Sequence, residues 1–341
     1  MPRSNFSAIF AGALLALASA AGAVELKIAT LAPDGSYWMN EARAAADEVT
    51  KRTSGRVSFR FYPGGTMGDD KAVLRKMRIG QLHGGVFLAG SFAETVPDLQ
   101  IYSLPLLFST YDEVDAVRER VDPELIAELE KAGFHSFGFI EGGFAYLFTT
   151  SRATTIDDLK GRKAWLPEGD PIGLALIEEA SLSPVPLGLS DVLTGLQTGL
   201  LDVVSGPPVG AVALQWFTKV RYLLDLPVIY TFGFVAVADQ TWEKLTPADQ
   251  QVVDEVFSSM TRALDRRARE DNQDSLRALE KQGVERIEPS DETNRQWQAM
   301  AARASARLVS ELGLSRPMLS DIEAVIAGLK NGAPDGDAGA P

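Results

Sequence analysis

The sequence predicts an α/β fold built as two lobes that share a long helix. From Leu26 onward strand-like and helical segments alternate, the pattern of parallel strands with helical crossovers. The run Val73-Leu74-Arg75-Lys76-Met77-Arg78-Ile79-Gly80-Gln81-Leu82 is echoed by Val192-Leu193-Thr194-Gly195-Leu196-Gln197-Thr198-Gly199-Leu200-Leu201, with apolar residues and the terminating glycine in register. Each copy reads as a helix closed by a glycine and feeding a strand, so one plan is used in both lobes. Past Pro247 no proline interrupts a helical pattern until Pro289. A helix of about 35 residues is roughly 50 Å long, more than the width of one lobe, and is expected to run across both.

The elements follow in order. Leu26 to Thr30 is a buried first strand, ended by the turn Ala32-Pro33-Asp34-Gly35. Ser36 then caps a helix whose apolar face carries Trp38, Ala42, Ala45 and Val49 at spacings of three and four. Val57, Phe59 and Phe61 alternate as a half-buried strand. Thr246-Pro247-Ala248-Asp249 forms a capping box with proline at the first helical position. The long helix it opens presents Val252, Val253, Val256, Phe257, Met260, Ala263, Leu264, Leu276 and Leu279. Two further helical segments follow, and residues 331–341 are expected to be a disordered tail.

At the N-terminus, Arg3 precedes the apolar run Ile9 to Ala18, too short to span a bilayer, and Ala21-Gly22-Ala23 supplies an A-x-A cleavage site. This is a secretory signal, residues 1–23, and predicts a periplasmic protein with a mature N-terminus at Val24. The chain has no cysteine, which leaves neither disulfides nor thiolate zinc sites. Its histidines, His83 and His135, have no second histidine at metal-ligand spacing and are read as structural or surface residues. A net charge of -13 argues against nucleic acid as a partner. The sequence contains no G-x-S-x-G, P-loop, H-E-x-x-H or G-x-G-x-x-G pattern, which argues against an enzyme and against a cofactor. Carboxylate pairs such as Asp69-Asp70 and Glu178-Glu179 read as solvated faces of an acidic chain.

The runs ELKIATLAPDGSYWMNEARAAADEVTKRTSGRVSFRFYPGGTMGDD, LPLLFSTYDE, DDLKGRKAWLP and SDVLTGLQTGLLDVVSGP carry a resemblance to the DctP-like solute-binding proteins of tripartite ATP-independent periplasmic (TRAP) transporters. The resemblance implies a Venus-flytrap receptor with strands crossing between the lobes. A small organic solute would bind in the cleft, and the closed form would dock on membrane permease subunits driven by an ion gradient, without ATP. The implied lobes are residues 24–146 with 232–262, and 147–231 with 263–330. A second reading keeps the fold and gives it a signalling partner instead of a permease.

Relatives usually clamp a carboxylate with an arginine at the position that here is Trp165. Leu147 stands where some carry a second arginine, and Gly206 where an asparagine is common. Trp165 is thus read either as a core plug or as a cleft wall, the latter being favoured. As a wall, its truncation should weaken binding by roughly 1 to 3 kcal/mol and leave the unliganded fold largely intact. The candidate ligand-binding residues are Leu31, Trp38, Ser91 and Phe92 on one side. Phe144, Leu147, Trp165, Glu168, Asp170, Leu189, Gly206 and Pro207 belong to the other side or the hinge. Asp170 before Pro171 is most simply a helix cap. If Glu168 points into the cleft beside Trp165, the pair suits a cationic or hydroxyl-bearing ligand. An acid ligand held by backbone amides after Asp34 or Ser190 stays open, and Arg152 and Arg162 are the basic residues nearest in sequence.

Overall fold

The computed structural model describes residues 23–332. The expected signal segment lies outside them except for Ala23, and the expected tail does so except for its first two residues, which are helical.

β1 (Val24–Ala29) is followed by α1 (Tyr37–Arg52), β2 (Val57–Tyr62), α2 (Asp70–Arg78) and β3 (Gly84–Leu88). Parallel pairing puts β1 between β2 and β3. Ser36 caps α1 by accepting from the Met39 amide at 3.3 Å, and Asp69 caps α2 by accepting from Ala72 at 2.7 Å. After α3 (Tyr111–Lys131) comes the long strand β4 (Phe134–Thr149). The second half-sheet is built from β5 (Lys163–Leu166), α4 (Pro171–Glu179), β6 (Ser183–Pro186), α5 (Val192–Thr198), β7 (Val203–Gly206) and α6 (Pro208–Ala213).

The chain returns through β8 (Tyr222–Ala238) and the short α7 (Asp239–Trp242). It ends with α8 (Pro247–Lys281), β9 (Glu285–Ile287), α9 (Asp291–Glu311) and α10 (Arg316–Gly332).

The internal echo falls on α2 and α5. Gly80 (φ 71°) and Gly199 (φ 72°) take the left-handed conformation that ends each helix, and the chain then enters β3 and β7. Those strands occupy corresponding places in one nine-stranded sheet of order β2-β1-β3-β8-β4-β7-β5-β6, with β9 beside β8. β3 runs antiparallel to the C-terminal half of β8, and β7 antiparallel to the C-terminal half of β4. Because β4 and β8 also pair with each other along nearly their whole length, they belong to both half-sheets and cross between the lobes. Three register shifts interrupt that pairing, at Ser136/Phe139, Glu141/Gly143 and Ala145/Leu147, and Gly138 and Gly143 have positive φ beside them. Bulges of this kind let a strand bend without losing its ladder.

Helices cover both faces of each half-sheet. One apolar cluster joins Phe87, Phe92 and Phe234 to α3, and another packs Val253, Phe257 and Met260 of α8 under Leu26 and Ile28. In the second lobe Leu147, Leu166 and Ile177 meet Trp297 and Met300 of α9, while Phe148, Trp165 and Val204 meet Trp216 and Leu279. With Val253 in one lobe's core and Leu279 in the other's, the 35-residue α8 is the shared spine.

The C-terminal segment differs from the sequence-based division, which put 263–330 wholly with the second lobe. Ile322 and Ile326 of α10 lie in the same cluster as Val114, Val117 and Val121 of α3, and the Ser315 amide donates to Asp98 at 2.7 Å. The apolar face of α10 is thereby buried on the first lobe. His83 accepts the Lys27 amide at 3.2 Å, and His135 stacks on Trp242 with ring centres 3.8 Å apart.

Candidate functional site

A cleft of about 440 Å³ opens between the half-sheets, under the crossing strands. Leu31, Trp38 and Ser91 line it from the first lobe, and Leu147, Trp165, Glu168, Asp170, Leu189, Gly206 and Pro207 from the second.

Phe92 and Phe144, also expected there, belong to the core instead. Phe92 is fully buried, with ring centres 5.1 Å from Phe87 and 5.0 Å from both Phe134 and Phe234. Phe144 packs on Tyr111 at 4.8 Å. Side chains alternate along a strand, so Ala145 and Leu147 take the cleft face and Phe144 the opposite one.

Trp165 is wall and core at once. It is the penultimate residue of β5, it is only 8% exposed, and it meets Trp216 edge to face at 5.5 Å. Its Nε1–H donates to the Leu187 carbonyl at 2.9 Å, so the indole offers the cleft a ring and no donor. Trp216, missed in the sequence, also lines the cleft and explains Gly206. A Cβ at 206 would sit 3.0 Å from Trp216 Cζ3, so a side chain there would require the packed ring to give by a few tenths of an ångström. The local sequence holds no signal for this, because the partners are ten residues apart on different elements.

Asp70 is the other residue that sequence reasoning missed. Read as part of a solvated pair, it is 9% exposed, lines the cleft, and accepts from the Ser91 hydroxyl and, at 3.4 Å, from the Leu88 amide. Burial pushes its carboxyl up to about 6, against the opposing pull of those donors. From the other lobe Asp170 caps α4, accepting from Ile172 at 3.0 Å, and also lines the cleft. Its carboxylate oxygen would lie 3.8 Å from a Cβ on Gly90, beside Ser91. Burial raises its pKa, opposed by the Gly173 and Ile172 amides. Glu168 stands at the exposed mouth, where Asp69 of the first lobe raises its pKa and Lys71 opposes. Thus the turn Pro167–Asp170 and the N-terminus of α2 face each other across the opening.

Glu178 and Glu179, the other carboxylate pair, meet Arg307 at 2.9 Å and Arg303 at 3.0 Å. Arg152 pairs with Glu285, and Arg162 donates to the Ser151 and Arg152 carbonyls at 2.8 Å each; neither lines the cleft.

At the crossing itself, Glu141 (4% exposed) is held by Arg269, whose Nη2 lies 2.9 Å away, and accepts from Tyr230 at 3.2 Å. Asp265 accepts from Arg118 and from the Glu141 amide, both at 2.8 Å. Asn272 donates to the Gly142 carbonyl at 2.8 Å and accepts from the Val209 amide at 3.1 Å, so α8 ties β4 to α6 where the lobes meet.

Two half-sheets hinged on shared strands, braced by one helix and parted by a cleft lined from both sides, define a two-lobed solute receptor. Residues 28–311 match the bacterial extracellular solute-binding proteins of family 7 (DctP), and the chain belongs to that family of binding proteins, which are not enzymes. It is 24% identical over 242 residues to the sialic acid-binding periplasmic protein SiaP of Vibrio cholerae, covering 70% of this chain and 75% of that one. It is 24% identical over 274 residues to the C4-dicarboxylate-binding periplasmic protein DctP of Rhodobacter capsulatus, covering 77% and 80%. A TRAP periplasmic solute binding protein from Ralstonia eutropha H16, solved with (S)-2-acetolactate, superposes with a TM-score of 0.82 at 23% identity, covering 89% of this chain and 99% of that one. One from Chromohalobacter salexigens, solved with D-glucuronate, gives 0.80 at 21%, covering 88% and 99%.

Proposed function

We propose that this protein is the periplasmic receptor of a TRAP-type secondary transporter, capturing a small organic solute between its lobes and presenting the closed form to membrane permease subunits. The observation that carries this reading is the cleft of about 440 Å³ lined from both lobes, because a ligand drives closure only through contacts it makes to both at once. The relatives' names support the transport role: SiaP and DctP are periplasmic binding proteins for sialic acid and C4-dicarboxylates. The lobes divide on β4 and β8, near Tyr146 and Phe232, with α10 returned to the first lobe. The ligand-binding surface comprises the cleft-lining residues of both lobes together with Asp70 and Trp216.

Export follows from the segment ending at Ala23, and the mature chain begins at Val24. Mass analysis of the periplasmic protein tests this, and an intact Met1 would refute it. The transport role is tested by deleting the receptor in its source cells and following uptake of the solute released from the purified protein. Uptake should be lost and return on complementation; unchanged uptake would overturn the reading.

A further inference from the structure

Every ionisable side chain that lines the cleft is an acid: Asp70, Glu141, Glu168, Asp170 and Asp271. Among the described residues no lysine, arginine or histidine lines it. The acids differ in what they meet. Glu141 is paired with Arg269 at 2.9 Å and Asp271 with Arg267 at 3.0 Å. Glu168 faces Lys71, an exposed side chain that reaches over the mouth to Gly169. Asp70 and Asp170 have no cation within 4.0 Å among the described residues, and they approach the Gly90–Ser91 turn from opposite lobes.

We propose that the solute is an amphipathic organic cation, a protonated amine on an apolar or aromatic body, with its ammonium between Asp70 and Asp170. This deepens the receptor reading and rests on it. Two carboxylates from different lobes repel as the cleft closes, and a cation between them removes that repulsion and supplies charge-assisted hydrogen bonds. Ligand charge is thereby coupled to closure, because each lobe contributes one acid. The body of the solute has apolar walls to lie against: Trp165, Leu147 and Leu189 on one side, Trp38 and Leu31 on the other. Trp165 is followed within five residues by Asp170 and presents only its ring, so this stretch supplies both a surface and a counter-charge for a cation. An anion would meet the opposite: uncompensated carboxylates and no guanidinium.

The test uses the mature protein purified from the periplasm. Solute released on denaturation is identified by high-resolution mass spectrometry in both polarities. In parallel 2-phenylethylamine, 2-phenylethanol, phenylacetate and D-glucuronate are titrated by calorimetry. The expected result is a released solute with a basic nitrogen, and an affinity for the amine at least tenfold above that for the alcohol, with the acids weaker still. Asp70→Asn and Asp170→Asn keep the shape, and asparagine caps a helix as well as aspartate. Each should lower the preference for the amine over the alcohol at least tenfold, a ratio from which any change in the cost of closure cancels. A released carboxylic acid without a basic nitrogen, or tighter binding of either acid probe, would overturn the proposal and leave the receptor reading intact. Equal affinity for amine and alcohol would also overturn it. No released solute and no binding of any probe would overturn both.

Discussion

Truncating Trp165 separates its two roles. Seen from the sequence as a wall, the residue is packed against Trp216 with its one donor satisfied, so its removal leaves a void inside the second lobe as well as a gap in the cleft. Trp165→Ala is therefore expected to cost about 3 to 5 kcal/mol of unliganded stability, the range for emptying a core aromatic site, in addition to weakening binding. Denaturant melts of the unliganded variant check this; a loss under about 1 kcal/mol would mean that the indole contributes only to the cleft. Asp70 carries a pH dependence of definite sign. Its carboxyl, pushed from an ordinary 3.8 to about 6, holds its proton more tightly in the folded protein. The folded state is relatively favoured below pH 3.8, and this advantage is lost as pH rises through about 6, by an amount on the order of 1 to 3 kcal/mol. Asp69 beside it adds negative charge, and across the mouth Glu168 feels the same Asp69 together with Lys71. Asp70→Asn should flatten that part of the stability profile; an unchanged slope between pH 4 and 6.5 would assign it to another group.

At the scale of elements, the crossing strand β4 depends on α8. Arg269 holds Glu141 through both Nε and Nη2 and reaches Asp115 as well. Arg269→Met would leave Glu141 buried without its ion-pair partner, and such a loss costs about 3 to 5 kcal/mol. Adding Glu141→Gln removes the stranded charge, so the double variant should be more stable than Arg269→Met alone. Additive losses in that cycle would show that the pair is not coupled. What the sequence disclosed about elements was local. Ser36, Thr246 and Asp170 cap helices because a cap needs only partners two or three residues on. The long helix and the echo of α2 in α5 were equally visible, being patterns of apolar spacing and terminal glycine. Most of the misplaced residues turn on partners distant in the chain. Asp70 is withdrawn from solvent beside Ser91, Phe92 packs against Phe134 and Phe234, and α10 docks on a helix about two hundred residues earlier. Phe144 is the local exception, since one residue before Ala145 and three before Leu147 it takes the opposite face of β4.

For the whole molecule, the acids at the mouth make closure sensitive to charge. Asp69 and Asp70 begin α2 in one lobe, Glu168 and Asp170 precede α4 in the other, and Lys71 is the cation that reaches between them. Two like charges about 5 Å apart repel by about 1 to 3 kcal/mol at effective dielectric constants between that of water and about 20. A repulsion of that size shifts an open–closed equilibrium about fivefold to a hundredfold. Without ligand, the protein should therefore favour the open form at pH 8. Proximity to Asp69 across the opening raises the pKa of Glu168, so this carboxyl takes up a proton more readily when the lobes are together, and Asp70, raised by burial, is partly protonated in the same range. Lowering the pH to about 5 should neutralise part of the cluster and move the population toward the closed form. Small-angle scattering of the unliganded protein reads this directly, as a smaller radius of gyration at pH 5 than at pH 8. Asp170→Asn, which removes one charge and keeps the cap, should give the more compact form already at pH 8. It should also bind the neutral probe 2-phenylethanol no more weakly than the parent protein, since part of the cost of closure is gone. A radius of gyration that changes with neither pH nor this substitution would show that the carboxylates at the mouth do not govern how the lobes meet.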